Sequence, residues 1–251
     1  MSGHSKWHNI RLRKGKQDAE RGKLFTKVAR EIIVAAKEGG SNPDTNLRLR
    51  LAVQKARENS MPAENIKRAL QRGSGELEGV NYEEVTYEGY GPAGVAVLVS
   101  CLTENRNRTV AELRVAFSRN GGSLGESGCV SWMFDQKGLI TIGKSTIDED
   151  TLMLTALDAG AEDIQSDDES YEITCAPNSL NGLRQALTDA GIKFESAELT
   201  MIPQTTIKIE TVKEASQIIR MMDQIEDSDD VQQVHANFDI PEEILEAVAA
   251  G

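Results

Sequence analysis

Apolar residues recur at spacings of three and four along the first third of the chain and predict three amphipathic helices. The first helix begins at Asp18, or nearer Lys23 because Gly22 weakens its first turns, and ends at Gly39-Gly40. The second helix is predicted to begin at Asp44 or Thr45 and to end at Glu58, and the third to begin near Ser60-Met61-Pro62 and to end at Gly73. Short turns join the three helices, so we expect a small helical bundle in this part of the chain.

Residues 74–83 are polar and contain glycine, which is typical of a linker, and the pattern changes after them. Short apolar runs then predict two strands around a turn at residues 89–94, followed by a helix and another strand. The helix is expected to begin at Thr109, because Thr109-Val110-Ala111-Glu112 has the form of a capping box, and to end at Asn120. The strands are predicted over residues 84–88, 94–101 and 129–134.

Residues 137–202 predict the order strand, helix, strand, strand, helix, strand, which is the order of a ferredoxin-like unit. Its strands are predicted over residues 138–142, 162–166, 171–175 and 197–202, and its helices over residues 148–159 and 179–190. One more strand, helix and strand are predicted over residues 205–209, 213–225 and 231–238. These three elements have no partners in the ferredoxin-like unit, so we expect them to complete the sheet left open at Phe134.

Together the elements predict a multi-domain α and α+β protein with an N-terminal three-helix bundle, an α/β domain and a ferredoxin-like domain inserted in it. A basic arm and the bundle take residues 1–75. The second (α+β) domain is discontinuous and takes residues 76–135 and 204–240, and the insertion takes residues 136–203. A length of 251 residues is compatible with one to three domains.

Charge is divided unevenly along the chain. The net charge is -12, but residues 1–75 contain 17 Lys and Arg against 7 Asp and Glu, a balance of +10. Residues 76–251 contain 11 Lys and Arg against 33 Asp and Glu, a balance of -22. A basic segment on an acidic protein favours an electrostatic task for the first part, such as binding a polyanion.

The basic character is concentrated in residues 1–30, which hold nine Lys and Arg against two acids and also contain Trp7. Phosphates attract such cations and bases stack on an indole, so this composition favours nucleic acid. The alternative is a solvated basic tail beside a helix. The candidate contacts are Lys6, Trp7, Arg11, Arg13, Lys14 and Lys16 in the arm, and Arg21, Lys23, Lys27 and Arg30 along the first helix.

A second basic cluster stands before the predicted helix at Thr109. Arg106 and Arg108 lie beside an expected helix N-terminus. Guanidinium groups and free backbone N–H groups together form a good phosphate-binding site there. The alternative is that these arginines pair with the nearby Glu104 and Glu112. The residues do not decide between the two.

Signals for enzymatic, metal or membrane functions are weak. The glycine-rich turns at residues 89–94 and 121–128 lack the Lys-Ser/Thr of a phosphate loop, and Ser127 misses the nucleophile-elbow spacing by one position. The three cysteines form no C-x-x-C pair, and the acidic clusters lack calcium-loop spacing. No run approaches the ~20 apolar residues of a membrane span. We therefore expect a cytoplasmic, non-enzymatic protein without metal, cofactor, small-molecule substrate or membrane partner; the oligomeric state stays open.

Several motifs in combination resemble the YebC family, which includes the mitochondrial translational activator of cytochrome oxidase. They span nearly the whole chain, from Gly3-His4-Ser5-Lys6-Trp7 and Gly22-Lys23-Leu24-Phe25-Thr26-Lys27 to Tyr87-Glu88-Gly89-Tyr90-Gly91-Pro92, Asn105-Arg106-Asn107-Arg108-Thr109 and Asp229-Asp230-Val231-Gln232. The chain departs from the family pattern at Leu12, where a His is expected, at Gly15-Lys16 and at Glu104.

The resemblance implies a three-domain protein without enzymatic activity that regulates gene expression by binding nucleic acid. Family members are described as DNA-binding transcriptional regulators or as translation factors that act on the ribosome at difficult sequences such as proline runs. We favour ribosomal RNA as the partner, because a basic arm beside acidic domains suits a crowded RNA particle. A DNA-binding transcriptional regulator is the first alternative. A protein-binding adaptor, whose acidic domains engage a basic partner, is the second.

Overall fold

The structure is a computed structural model that describes residues 17–166 and 170–250. It opens with the predicted bundle of three helices, α1 (Gln17–Gly39), α2 (Leu47–Glu58) and α3 (Ala63–Gly73). Both shorter helices pack on α1, and the core between them is aliphatic, with Ile32 and Leu49 fully buried. The α2 helix begins at Leu47 because the Asn46 side chain accepts a hydrogen bond from the Leu49 N–H.

The second domain is built on a four-stranded sheet with the order β3-β1-β2-β9. Its strands are β1 (Glu83–Tyr90), β2 (Ala96–Thr103), β3 (Ser123–Leu124) and β9 (Val231–Ala236). The helices α4 (Arg106–Arg119) and α7 (Val212–Glu226) cover one face of this sheet, where Val97, Val99 and Phe117 lie in the core. A short parallel pair, β8 (Ile207–Lys208) with β10 (Phe238–Asp239), and the helix α8 (Glu242–Ala250) complete the domain.

The ferredoxin-like insertion has a separate sheet with the antiparallel order β5-β6-β4-β7. Its elements are β4 (Phe134–Gly143), α5 (Glu149–Asp158), β5 (Ala161–Ser166), β6 (Ser170–Cys175), α6 (Leu180–Asp189) and β7 (Ser196–Pro203). Residues after the insertion return to the second domain, since β9 pairs with β2 in antiparallel register. The predicted fold class, with the ferredoxin-like domain inserted in the α/β domain, is therefore confirmed. The exact domain limits stay a prediction.

Two of the predicted elements are wrong in position. The helix α4 begins at Arg106 and not at Thr109, because the Asn105 side chain accepts a hydrogen bond from the Arg108 N–H and caps the helix. Residues 129–133 do not form a strand; a short 3-10 turn at Ser131–Met133 leads into β4, which begins at Phe134. The sequence prediction also missed the short strand β3 and the last helix, α8.

Candidate nucleic-acid interface

The predicted contacts of the basic arm fall outside the part of the chain that the structure describes. They are Lys6, Trp7, Arg11, Arg13, Lys14 and Lys16. The side chain of Arg21 is also outside it, although its backbone belongs to α1. These seven assignments stay predictions, and the structure describes side chains only from Gly22 onwards.

The other three predicted contacts on α1 turn towards the second domain. Lys23 Nζ lies 2.9 Å from Asp227 Oδ1, and Lys27 Nζ donates a 2.8 Å hydrogen bond to the Glu226 carbonyl oxygen. Arg30 Nη1 lies 2.7 Å from Asp230 Oδ1. All three bond to the turn between α7 and β9, so this face of α1 joins the bundle to the second domain.

Asp230 is the centre of this contact, and its side chain is only 3% exposed. Its Oδ1 accepts from Arg30 and Arg108, and its Oδ2 accepts from Arg108 Nη2 at 2.8 Å and from Thr109 Oγ1 at 2.7 Å. A further bond comes from Thr103 Oγ1. Burial alone would raise the pKa of Asp230, but the hydrogen bonds from Arg108, Thr109 and Arg30 outweigh it and hold that pKa below its ordinary value.

Arg106 and Arg108 both form ion pairs with carboxylates of the second domain. Arg108 reaches Glu104 at 3.2 Å in addition to Asp230, while Arg106 Nε lies 2.6 Å from Glu83 Oε2 on β1. The pairing with Glu104 that the sequence left open is thus present. Arg106 remains 62% exposed, whereas Arg108 is held by a buried carboxylate. Arg106 is therefore the more accessible of the two to a phosphate.

Another set of cations, on α2 and α3, is exposed, and no partner for it occurs in the described part of the chain. Lys55 and Arg57 lie in the last turn of α2, and Lys67, Arg68 and Arg72 lie on α3. Within residues 22–166 and 170–249, none of these five side chains forms a hydrogen bond or an ion pair. We call them the outer cations.

The outer cations of α3 follow from its helical period. Ile66 and Ala69 are buried against the bundle, and Lys67, Arg68 and Arg72 lie on the remaining, exposed part of the helix. Sequence reasoning assigned no contact to the outer cations, although Lys55 and Arg57 follow Arg48 and Arg50 by seven residues and so lie on the same sides of α2. The sequence did contain a signal for the α3 cations: Lys67, Arg68 and Arg72 avoid the helical positions of Ile66 and Ala69 and therefore belong to the exposed side of the helix.

The glycine-rich segment at residues 121–128 has a structural role. Glu88 is buried, and its carboxylate accepts hydrogen bonds from the backbone N–H groups of Gly128, Val130 and Ser131, which fixes the end of this segment. Burial lowers the pKa of His235 to about 4. No group of three or more His, Cys, Asp or Glu suited to a metal ion occurs among the described residues. Within that same part of the chain, no helix is long and apolar enough to cross a membrane.

Comparison with known proteins places the chain in a family. Residues 5–76 match the sequence profile described as "TACO1/YebC protein N-terminal domain", and residues 82–238 match "TACO1/YebC second and third domain". The three-helix bundle and the two sheet domains coincide with these two matches. The chain belongs to the TACO1/YebC family.

Full-length relatives support the assignment. A "probable transcriptional regulatory protein" of Clostridium tetani is 57% identical over 244 residues, which cover 97% of this chain and 99% of that protein. One of the same description from Pelotomaculum thermopropionicum is 57% identical over 242 residues, covering 96% and 99%. The crystal structure of a conserved hypothetical protein from Aquifex aeolicus superposes with a TM-score of 0.84 at 48% identity, covering 91% of this chain and 94% of that one.

Proposed function

We propose that this protein is a non-enzymatic cytoplasmic regulator of gene expression that binds RNA of the ribosome through its N-terminal part. In this role it acts as a translation factor that relieves stalling at difficult sequences such as proline runs. The observation that carries the proposal is the division of cations in the bundle. Lys27 and Arg30 bond to the second domain, whereas the outer cations are exposed and unpaired within the described residues.

Charge distribution gives the second support. The N-terminal 75 residues carry a balance of +10 on a protein whose net charge is -12, so a phosphate polymer is attracted to one part and repelled by the rest. The family membership and the regulatory naming of the relatives agree with a role in gene expression. In this proposal the arm residues and the outer cations contact phosphates together, and Trp7 stacks on a base.

A DNA-binding transcriptional regulator is the second candidate, and two observations favour it. The relatives from C. tetani and P. thermopropionicum are described as probable transcriptional regulators. In addition, α2 and α3 are joined by only four residues, and α3 presents Lys67, Arg68 and Arg72 outward, as a helix that enters a major groove would. The two candidates therefore share a surface and differ in the polymer that it binds.

The experiment compares two triple variants with equal charge changes. Lys67→Gln/Arg68→Gln/Arg72→Gln removes the outer cations of α3, and a control removes three exposed cations from the acidic part, Lys193, Lys208 and Arg220. If about six cations contact single-stranded RNA, the salt slope of the parent is about -4, and affinity falls roughly 250-fold between ~50 and ~200 mM salt. The α3 variant should reduce the magnitude of that slope by about 2, to about -2, because three phosphate contacts are lost. The control variant should keep the slope of the parent.

The target is decided by two measurements on the parent protein. Co-sedimentation with purified ribosomes is expected, and a gel shift on duplex DNA is expected to be weaker at equal salt. Tight, sequence-dependent binding of duplex DNA without ribosome association would establish the DNA candidate instead. A salt-independent affinity, or equal losses in the α3 variant and the control, would refute a phosphate-binding role for this surface.

A further inference from the structure

The helix α5 of the ferredoxin-like domain is apolar on two sides. Leu152 and Ala156 are fully buried against the sheet of the insertion. On the outer side, Leu154 is 70% exposed, Leu157 is 51% exposed and Met153 is 41% exposed. The solvent side of a surface helix is normally polar, so an apolar stripe on the outer side of α5 has the character of a contact surface.

The three exposed residues form a continuous stripe. They are separated by one, three and four positions, so on a helix with 3.6 residues per turn they share one side. Scattered single apolar residues on a surface are ordinary, but three within two turns are a compact patch. The patch has the pattern of anchors that helix-in-groove or helix-on-helix recognition uses.

The surroundings of this stripe are acidic. Glu149 and Asp150 precede it, Asp158 follows it, and all three carboxylates are exposed. The insertion as a whole, residues 136–203, contains 4 Lys and Arg against 13 Asp and Glu, a balance of -9. A phosphate polymer is repelled here, and a second copy of the same helix would bring like charges together.

From this combination we propose that the outer side of α5 binds a basic amphipathic helix of another polypeptide. The partner places apolar side chains on Met153, Leu154 and Leu157, and its Lys or Arg side chains meet Glu149, Asp150 and Asp158 at the rim. This surface lies on the insertion and the outer cations lie on the bundle, so in this proposal the protein has a cationic surface for nucleic acid and an acidic, apolar one for a protein. The proposal does not depend on the function proposed above.

The test uses the full-length protein and a synthetic helical peptide that has Leu at positions i, i+3, i+4 and i+7 and Lys elsewhere. A matched peptide with Glu in place of Lys is the control probe. We expect binding of the Lys peptide, measured by isothermal titration calorimetry, and amide chemical-shift changes that centre on α5. We expect no binding of the Glu peptide.

Variants distinguish this surface from general attraction to an acidic protein. Leu154→Ser/Leu157→Ser should weaken the Lys peptide about tenfold or more, because two central anchors are lost. Val115→Ser/Val212→Ser, which alters comparably exposed residues on other helices, should leave the affinity unchanged. Thermal unfolding of both variants checks that the fold is intact, as expected for exposed positions.

Any of several results would overturn the proposal. These are a parent protein that does not bind the Lys peptide, equal affinity in the Leu154/Leu157 variant, and chemical-shift changes away from α5. A dimer that sedimentation detects in the parent and not in that variant would identify a second copy as the occupant. Binding to anionic vesicles that is lost in the same variant would identify a lipid surface.

Discussion

Replacement of Asp230 by Asn tests whether the buried carboxylate joins the bundle to the second domain. The substitution keeps the shape of the side chain but removes the charge and places an NH2 group among donors. Two guanidinium groups, from Arg30 and Arg108, and the hydroxyl groups of Thr103 and Thr109 then compete for one acceptor oxygen. The expected result is a large loss of stability together with looser attachment of α1.

The size of the expected stability loss depends on how exposed Arg30 and Arg108, the partners of Asp230, are. Removal of one member of a fully buried ion pair costs about 3–5 kcal/mol. Arg108 is 41% exposed and can regain water, and Arg30 keeps hydrogen bonds to the carbonyl oxygens of Leu102 and Asp229. Both effects reduce the cost, so we expect Asp230→Asn to lower the free energy of unfolding by about 2–4 kcal/mol.

The assay is urea unfolding followed by circular dichroism, with hydrogen exchange of α1 amides as a local readout. Asp229→Asn is the matched control, because Asp229 is adjacent and exposed and its side chain forms no bond within the described residues. It should change stability by less than about 0.5 kcal/mol. Asp227→Asn, which removes an exposed ion pair with Lys23, should cost under about 1 kcal/mol.

A pH series gives an independent signature. The pKa of Asp230 is depressed in the folded protein, so its contribution is fully present above the ordinary value of 3.8 and is lost as the pH falls below it. The difference in stability between parent and Asp230→Asn should therefore shrink on acidification below 3.8. A variant as stable as Asp229→Asn at pH 7, with unchanged exchange in α1, would refute the reasoning.

Three further outcomes follow from buried groups. Glu88→Gln removes the charge that accepts three backbone N–H groups, so it should destabilise by about 1–3 kcal/mol and speed amide exchange at Val130; unchanged exchange would contradict this. Burial lowers the pKa of His235 to about 4, so the free energy of unfolding should fall by up to about 3 kcal/mol as the pH drops from about 6.5 to about 4. His235→Gln should flatten that pH profile. A parent protein whose stability does not change over this range would contradict the burial of a neutral His235. Burial raises the pKa of Cys101 to about 12, so Cys101 and the buried Cys175 should react with a thiol reagent at pH 8 only after unfolding, whereas rapid labelling of the native protein would disprove their burial.

Sequence patterns were sufficient for most of the fold because the elements have strong local signals. For α3, the apolar period and the closing glycine predicted the end at Gly73 and a start one to three residues before the observed Ala63. The alternation of strands and helices over residues 137–202 gave the ferredoxin-like order, and the residual strand at 231–238 implied the insertion. Each of these inferences depends on spacing along the chain, which is visible without coordinates.

Long-range contacts account for what sequence reasoning missed. Thr109 has the local form of a helix cap, but its hydroxyl group is needed by Asp230, which lies 121 residues further on, while Asn105 caps the helix. Lys27 and Arg30 likewise look like a cationic track until α1 is placed against the turn at residues 226–230. Whether a charge is paired or exposed depends on the tertiary structure, so the structure was needed to show that the outer cations are exposed and unpaired within the described residues.

The attachment of the insertion has a mechanical consequence. Phe134 and Pro203, where the chain enters and leaves the ferredoxin-like domain, are opposite one another in adjacent antiparallel strands, and Gln204 N–H donates to the Met133 carbonyl oxygen just outside them. Both covalent connections thus form a single two-stranded stalk. A short turn from residue 133 to residue 204 would remove the module through one junction, but it would also uncover Ala96 and Leu98, which pack with Phe134 and Met201 of the stalk.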